Sequence, residues 1–75
     1  MWTSNDMTLC AYAAAEQFAR DCYPGGVRIH DFTGNEHSRI WFFSLYGIAG
    51  FFILTKSLGD SRWICNPPPF ERPQQ

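Results

Sequence analysis

The stretch that most restricts this chain is Arg39 to Ser57, RIWFFSLYGIAGFFILTKS, a near-continuous apolar segment in a protein of 75 residues. From Ile40 to Leu54 it is apolar apart from Ser44, yet these fifteen residues fall short of the ~20 that a membrane-spanning helix needs. Its interior, Tyr46-Gly47-Ile48-Ala49-Gly50, sets two glycines among β-branched and aromatic neighbours, which suits a turn between strands better than the inside of a helix. The segment therefore predicts two adjacent strands, Ile40 to Tyr46 and Phe51 to Lys56, joined tightly around Gly47 to Gly50. Along the first, Ile40, Phe42, Ser44 and Tyr46 share one side while Trp41, Phe43 and Leu45 share the other. Along the second, Phe51, Ile53 and Thr55 oppose Phe52, Leu54 and Lys56. Both sides are apolar, whereas an antiparallel sheet with one wet face alternates cleanly.

The flanking sequence supplies one helix with which to cover them. Thr3-Ser4-Asn5-Asp6 clusters capping side chains, predicting a helix that starts near Ser4 to Asp6 and ends near Cys22, where Tyr23-Pro24-Gly25-Gly26 stops it. Met7, Cys10, Ala11, Ala14, Ala15, Phe18 and Cys22 fall on one face at helical spacing, with Phe18 as the central knob. Leu9, Tyr12, Glu16 and Arg20 lie opposite, and Glu16 and Arg20 are spaced to pair. Val27 to Phe32 alternates as a strand, residues 33–38 form a hairpin loop, Leu58-Gly59-Asp60-Ser61 a second turn, and Arg62 to Cys65 a fourth strand ended by Asn66-Pro67-Pro68-Pro69. The expected fold is α+β: an N-terminal helix packed on one face of a four-stranded antiparallel meander sheet, one domain over residues 1–66, then an extended Pro-rich tail over 67–75.

Composition narrows the chemistry. Six Lys and Arg stand against seven Asp and Glu, so there is no basic excess, and direct nucleic-acid binding is not expected. The chain lacks G-x-x-x-x-G-K-S/T, H-E-x-x-H and G-x-S-x-G, leaving the phosphate, zinc-protease and serine-hydrolase readings without their starting residues. Cys22, His30, His37 and Cys65 have metal-ligand chemistry but no zinc-site spacing. No metal, cofactor or catalytic residue is expected, and the chain is read as not an enzyme. Three cysteines, an odd number, read as reduced and mostly buried thiols. Met1 to Asp6 is polar and unlike a secretory leader, so a cytoplasmic location and no membrane association are expected.

The functional expectation comes from the imbalance between two apolar sheet faces and a single helix. The second face must be covered by the chain's own ends, through Trp2 and Phe70, by a second copy, or by a different protein. An outward face cored by Trp41, Phe43 and Trp63 and rimmed by Arg28, Arg39, Lys56 and Arg62 would have the anatomy of an interface. A protein partner is the first expectation and a homodimer the alternative.

Cys22-Tyr23-Pro24-Gly25, Val27-Arg28-Ile29 and Arg62-Trp63-Ile64-Cys65, set in a short helix-then-strands chain, resemble small phage anti-CRISPR proteins, particularly inhibitors of type I systems. The resemblance implies a phage-encoded, non-enzymatic inhibitor in the host-cell cytoplasm. It would dock on a CRISPR surveillance complex or nuclease and block DNA binding or nuclease recruitment. With a net charge of −1, steric docking through aromatics and arginines is the expected mode, not mimicry of DNA by an acidic surface.

Overall fold

The computed structural model describes residues 1–59 and 61–66; the tail expected over 67–75 lies outside the described residues. Six elements follow one another: β1 (Trp2–Thr3), α1 (Ala11–Cys22), β2 (Ile29–Asn35), β3 (Ile40–Leu45), β4 (Phe52–Lys56) and β5 (Trp63–Asn66). The class is α+β, with one helix on an antiparallel sheet, but the sheet has five strands, ordered β1-β5-β4-β3-β2. β2 to β5 form a meander, and the start of the chain adds β1 along the outer edge of β5, Trp2 opposite Cys65 and Thr3 opposite Ile64. Two residues are too few to show a period of two. What fixes them is the next residue, Ser4, which is fully buried. Its N–H donates to the Trp63 carbonyl at 2.9 Å, and its Oγ accepts the Trp63 N–H at 3.0 Å.

That use of Ser4 also explains why the helix begins at Ala11 and not near Ser4 to Asp6. The capping side chains are engaged elsewhere. Asp6 accepts from the Thr8 hydroxyl at 2.6 Å and the Thr8 N–H at 2.8 Å, closing a local turn that competes with helix. The Thr8 hydroxyl bond, then the N–H bond, hold the Asp6 carboxyl below its usual pKa. Leu9 is pinned by the Trp63 indole, whose Nε1–H donates to its carbonyl at 2.8 Å. Cys10 remains extended and makes no side-chain cap. At the other end the helix stops where expected: the Tyr23 N–H closes onto Ala19, and Gly26 turns the chain at φ +96°.

Ala11, Ala14, Ala15, Phe18 and Ala19 form the buried helix face, while Met7, Cys10 and Cys22, expected on it, are exposed. The methyl side chains let α1 approach the sheet closely, and Phe18 fills the space between. Its ring lies 5.1 Å from Phe52, 5.7 Å from Phe43 and 5.6 Å from Trp2. Opposite the buried face, Arg20 donates to Gln17 instead of pairing with Glu16, and Tyr12 packs edge-on against Phe32.

Strand register assigns the two faces. On the helix side lie Phe32, Phe43 and Phe52 in one row, and Gly34, Trp41, Leu54, Cys65 and Trp2 in the next. The other side carries Asn35, Ile40, Thr55, Ile64 and Thr3, then Thr33, Phe42, Ile53 and Asn66. Gly34 makes room for an indole: a Cβ there would sit 2.5 Å from the Trp41 ring, which stacks on Phe32 at 5.1 Å. β2 runs further than expected, to Asn35, and the β2–β3 loop closes at Arg39, which takes φ +62°.

Ser4→Ala leaves the Trp63 N–H without its acceptor and is expected to lower unfolding free energy by about 1–2 kcal/mol. The neighbouring exposed Asn5→Ala should change it by under ~0.5 kcal/mol. Equal urea midpoints for the two variants would contradict the assigned role of Ser4.

Candidate functional site

The residues singled out in the sequence do not form one outward surface. Trp41, Phe43 and Trp63, expected to core the uncovered face, point to the helix side: Phe43 and Trp63 are buried and Trp41 is half-buried. The cause is register. Each sits directly opposite a residue of the helix-side set, Leu54 for Trp41, Phe52 for Phe43 and Lys56 for Trp63. Nor does Trp2 cover the second face, since it packs on Phe18 and donates through its indole to Asp21 at 2.8 Å. Phe70 lies outside the described residues.

The uncovered face is built by the other period-two set. Ile40, Phe42 and Ile53 retain 37%, 39% and 40% exposure, and Phe51, beyond the start of β4, retains 57%. The Phe42 and Phe51 rings touch at 5.9 Å. Ile64 continues the stripe, and Thr3, Thr33, Asn35, Ser44, Thr55 and Asn66 surround it with hydroxyls and amides. None of the strand positions on this face carries Lys or Arg.

At one corner stand His30, Asp31, Ser44 and Tyr46. His30 Nδ1 lies 3.3 Å from Asp31 and 3.4 Å from Ser44 Oγ, and its ring meets Tyr46 at 4.6 Å. A Ser-His-Asp relay needs the acid and the hydroxyl on opposite ring nitrogens. Both are on Nδ1 here, so this trio is not arranged for nucleophilic catalysis.

Four of the sequence-selected residues do come together on the helix side. Arg39, Trp41, Lys56 and Trp63 line a cleft of about 320 Å³ with Glu36 and with Leu9, Cys10 and Ala11 at the start of α1. Lys56 Nζ stands 4.9 Å above the Trp63 ring. Arg39 reaches the Ser57 carbonyl through Nη2 at 3.3 Å, while its Nε is buried without an acceptor. Among the described residues no carboxylate lies within ion-pair distance of either cation; the one such contact joins His30 and Asp31. Of the other two selected cations, Arg28 is exposed at the opposite end of the sheet beside Val27 and Tyr46, and Arg62 is exposed just before β5.

No disulfide joins the three cysteines, and of the three only Cys65 is buried. Burial, reinforced by Cys22, pushes the Cys65 thiol from 9.0 up to about 12. Among the described residues no three His, Cys, Asp or Glu side chains come together as a metal site, and no helix is long and apolar enough to cross a membrane. No protein-family model, curated protein or solved structure matches the chain.

A thiol reagent at mildly alkaline pH is expected to modify Cys10 and Cys22 in the native protein and Cys65 only on unfolding. Equal labelling rates for all three would contradict the packing of β5. Between pH 9.0 and about 12 the folded protein keeps a Cys65 proton that the unfolded chain releases. Stability should therefore fall as pH rises through that window.

Proposed function

We propose that the chain is a small non-enzymatic binding protein that docks on a protein partner through the uncovered face of its sheet. One observation supports this above the rest: Ile40, Phe42, Phe51, Ile53 and Ile64 remain accessible together on the side the helix leaves bare. Their exposed portions amount to roughly 400 Å² of apolar surface, the size of patch that on monomers is often functional.

The chemistry of the face selects the class of partner. Its strand positions carry no Lys or Arg, and Arg28 and Arg62 at the rim are too few to follow a phosphate backbone. An aromatic and aliphatic centre inside a rim of hydroxyls and amides is what a protein surface complements. A homodimeric scaffold is the second reading, favoured by the absence of Lys and Arg from the strand positions of the face, where the charged group is Asp31 at one corner. Yet the patch is about half of the ~800 Å² that each side contributes to a stable interface. Two flat copies have little beyond the patch to add, whereas a larger partner also reaches the rim near Arg28, Tyr46 and Arg62.

The resemblance to phage anti-CRISPR proteins names such a partner, a type I surveillance complex or its nuclease in the host cytoplasm. The inhibitor would act by steric docking, which its near-neutral charge suits.

Phe42→Asp and Ile53→Asp, each checked for folding by circular dichroism, are expected to weaken capture of a purified type I surveillance complex about 100-fold. Arg28→Ala and Arg62→Ala at the rim should cost about twofold to fivefold. Undiminished capture by both face variants would remove the docking face, and no capture by the wild type would remove the named partner. A wild-type mass near twice 8.6 kDa, reverting in Phe42→Asp, would give the face to a second copy.

A further inference from the structure

The cleft on the helix side has no part in that docking, because it opens on the opposite side of the sheet. Its walls combine two features that seldom meet by accident in so small a protein. Trp41 and Trp63 provide flat apolar surface, and Arg39 and Lys56 bring two positive charges to the same 320 Å³ space, where among the described residues no carboxylate lies in ion-pair distance of either. Two cations bordering one recess raise its positive potential, and an anion set between them gains from both.

Each cation is held in place. Lys56 lies over the Trp63 ring, and that indole is fixed by its bond to the Leu9 carbonyl. Arg39 sits at φ +62°, a conformation that favours glycine, and is tied through Nη2 to the Ser57 carbonyl and through its own carbonyl to the Lys56 N–H. Its Nε is buried with no acceptor, which leaves the guanidinium with an unmet donor. The start of α1, uncapped by any side chain, faces the cleft through Cys10 and Ala11 and adds to the positive potential. Against these stands Glu36, an exposed carboxylate on the cleft wall.

We propose that this cleft is a binding site for a small aromatic anion, with Arg39 and Lys56 pairing its carboxylate or phosphate and Trp41 and Trp63 flanking its ring. The volume lies at the small end of the ~300–1,000 Å³ range of ligand sites, which suits a single ring with one acidic group. Guanidinium and ammonium serve complementary ends of such a ligand's head: the planar fork fixes its orientation and the point charge adds attraction. Glu36 sets a repulsive charge at the wall, so the anion competes with it for the same field.

The probes are benzoate and phenyl phosphate, with neutral benzamide as control, titrated into the full chain at low salt and followed by tryptophan fluorescence and by the Trp63 indole N–H resonance. Saturation by either anion at about millimolar concentration, with benzamide at least about tenfold weaker, supports the site. The tighter of the two anions identifies the acidic group. Arg39→Gly keeps the loop, because glycine adopts φ +62° freely, and should weaken binding about tenfold with unchanged circular dichroism. Lys56→Met, which preserves the aliphatic stem over the indole, should do the same. Glu36→Gln moves in the opposite direction, tightening binding about threefold. Benzamide binding as well as benzoate, or no saturation by either anion up to about 20 mM, would overturn the proposal. So would a Glu36→Gln variant that is destabilised and binds no better, since Glu36 would then be the cleft's own counter-ion.

Discussion

The clamp of Phe18 between Phe43, Phe52 and Trp2 is the contact on which the rest of this fold depends. Burying one such ring contributes roughly 2–3 kcal/mol, against the few kcal/mol of net stability of a domain this size. The clamp works because Ala11, Ala14, Ala15 and Ala19 keep the helix backbone close to the sheet, so one large side chain spans the gap. It also limits the design. A helix is ~10 Å wide, and five strands spaced ~4.8 Å apart are about twice that. The margins of the helix-side face are therefore filled by other means: Trp2 on one flank, and Tyr12, Phe32 and Trp41 on the other. Nothing among the described residues is left for the second face.

Much of this was legible in the sequence, because alternation identifies which side chains travel together. Trp41, Phe43 and Leu45 form one set and Phe52 and Leu54 another, as their spacing predicts, and the strand register joins the two. What alternation does not give is the side on which the helix lies, and the choice of outward face was reversed. A signal for it was present. Ser44 and Thr55 both fall in phase with Ile40, Phe42 and Ile53, marking that side as the wetter one. Lys56 pointed the other way, because a lysine in the covered set reads as an outward residue. Its stem crosses Trp63 and its charge escapes at the cleft.

Two further departures share one cause, the use of polar residues for contacts distant in sequence. Ser4 bonds to Trp63, fifty-nine positions away, so it does not cap the helix and it creates a strand of two residues that no local pattern could announce. Asp6 binds Thr8 instead of opening the helix. Arg39 occupies a left-handed position where glycine is the ordinary choice, and that places its guanidinium at the cleft. The resulting molecule is sided: charge and indoles border a recess by the helix, while aliphatic and phenyl groups without cations fill the bare face. The ligands proposed for these surfaces differ accordingly, an anion for one and a protein for the other. The strands between them carry residues of both in alternation, so a change in register would disturb the two together.

The central claim, that the helix covers one side of the sheet and leaves the other open, is tested most directly by solvent paramagnetic relaxation. With an inert soluble gadolinium chelate at a concentration where the protein is monomeric, the methyl groups of Ile40 and Ile53 and the Phe42 ring should relax strongly. Those of Leu45 and Leu54 and the Phe43 ring should be barely affected. Equal protection of the two sets, or strong relaxation of Leu54 beside a shielded Ile53, would contradict the fold and both surfaces read from it.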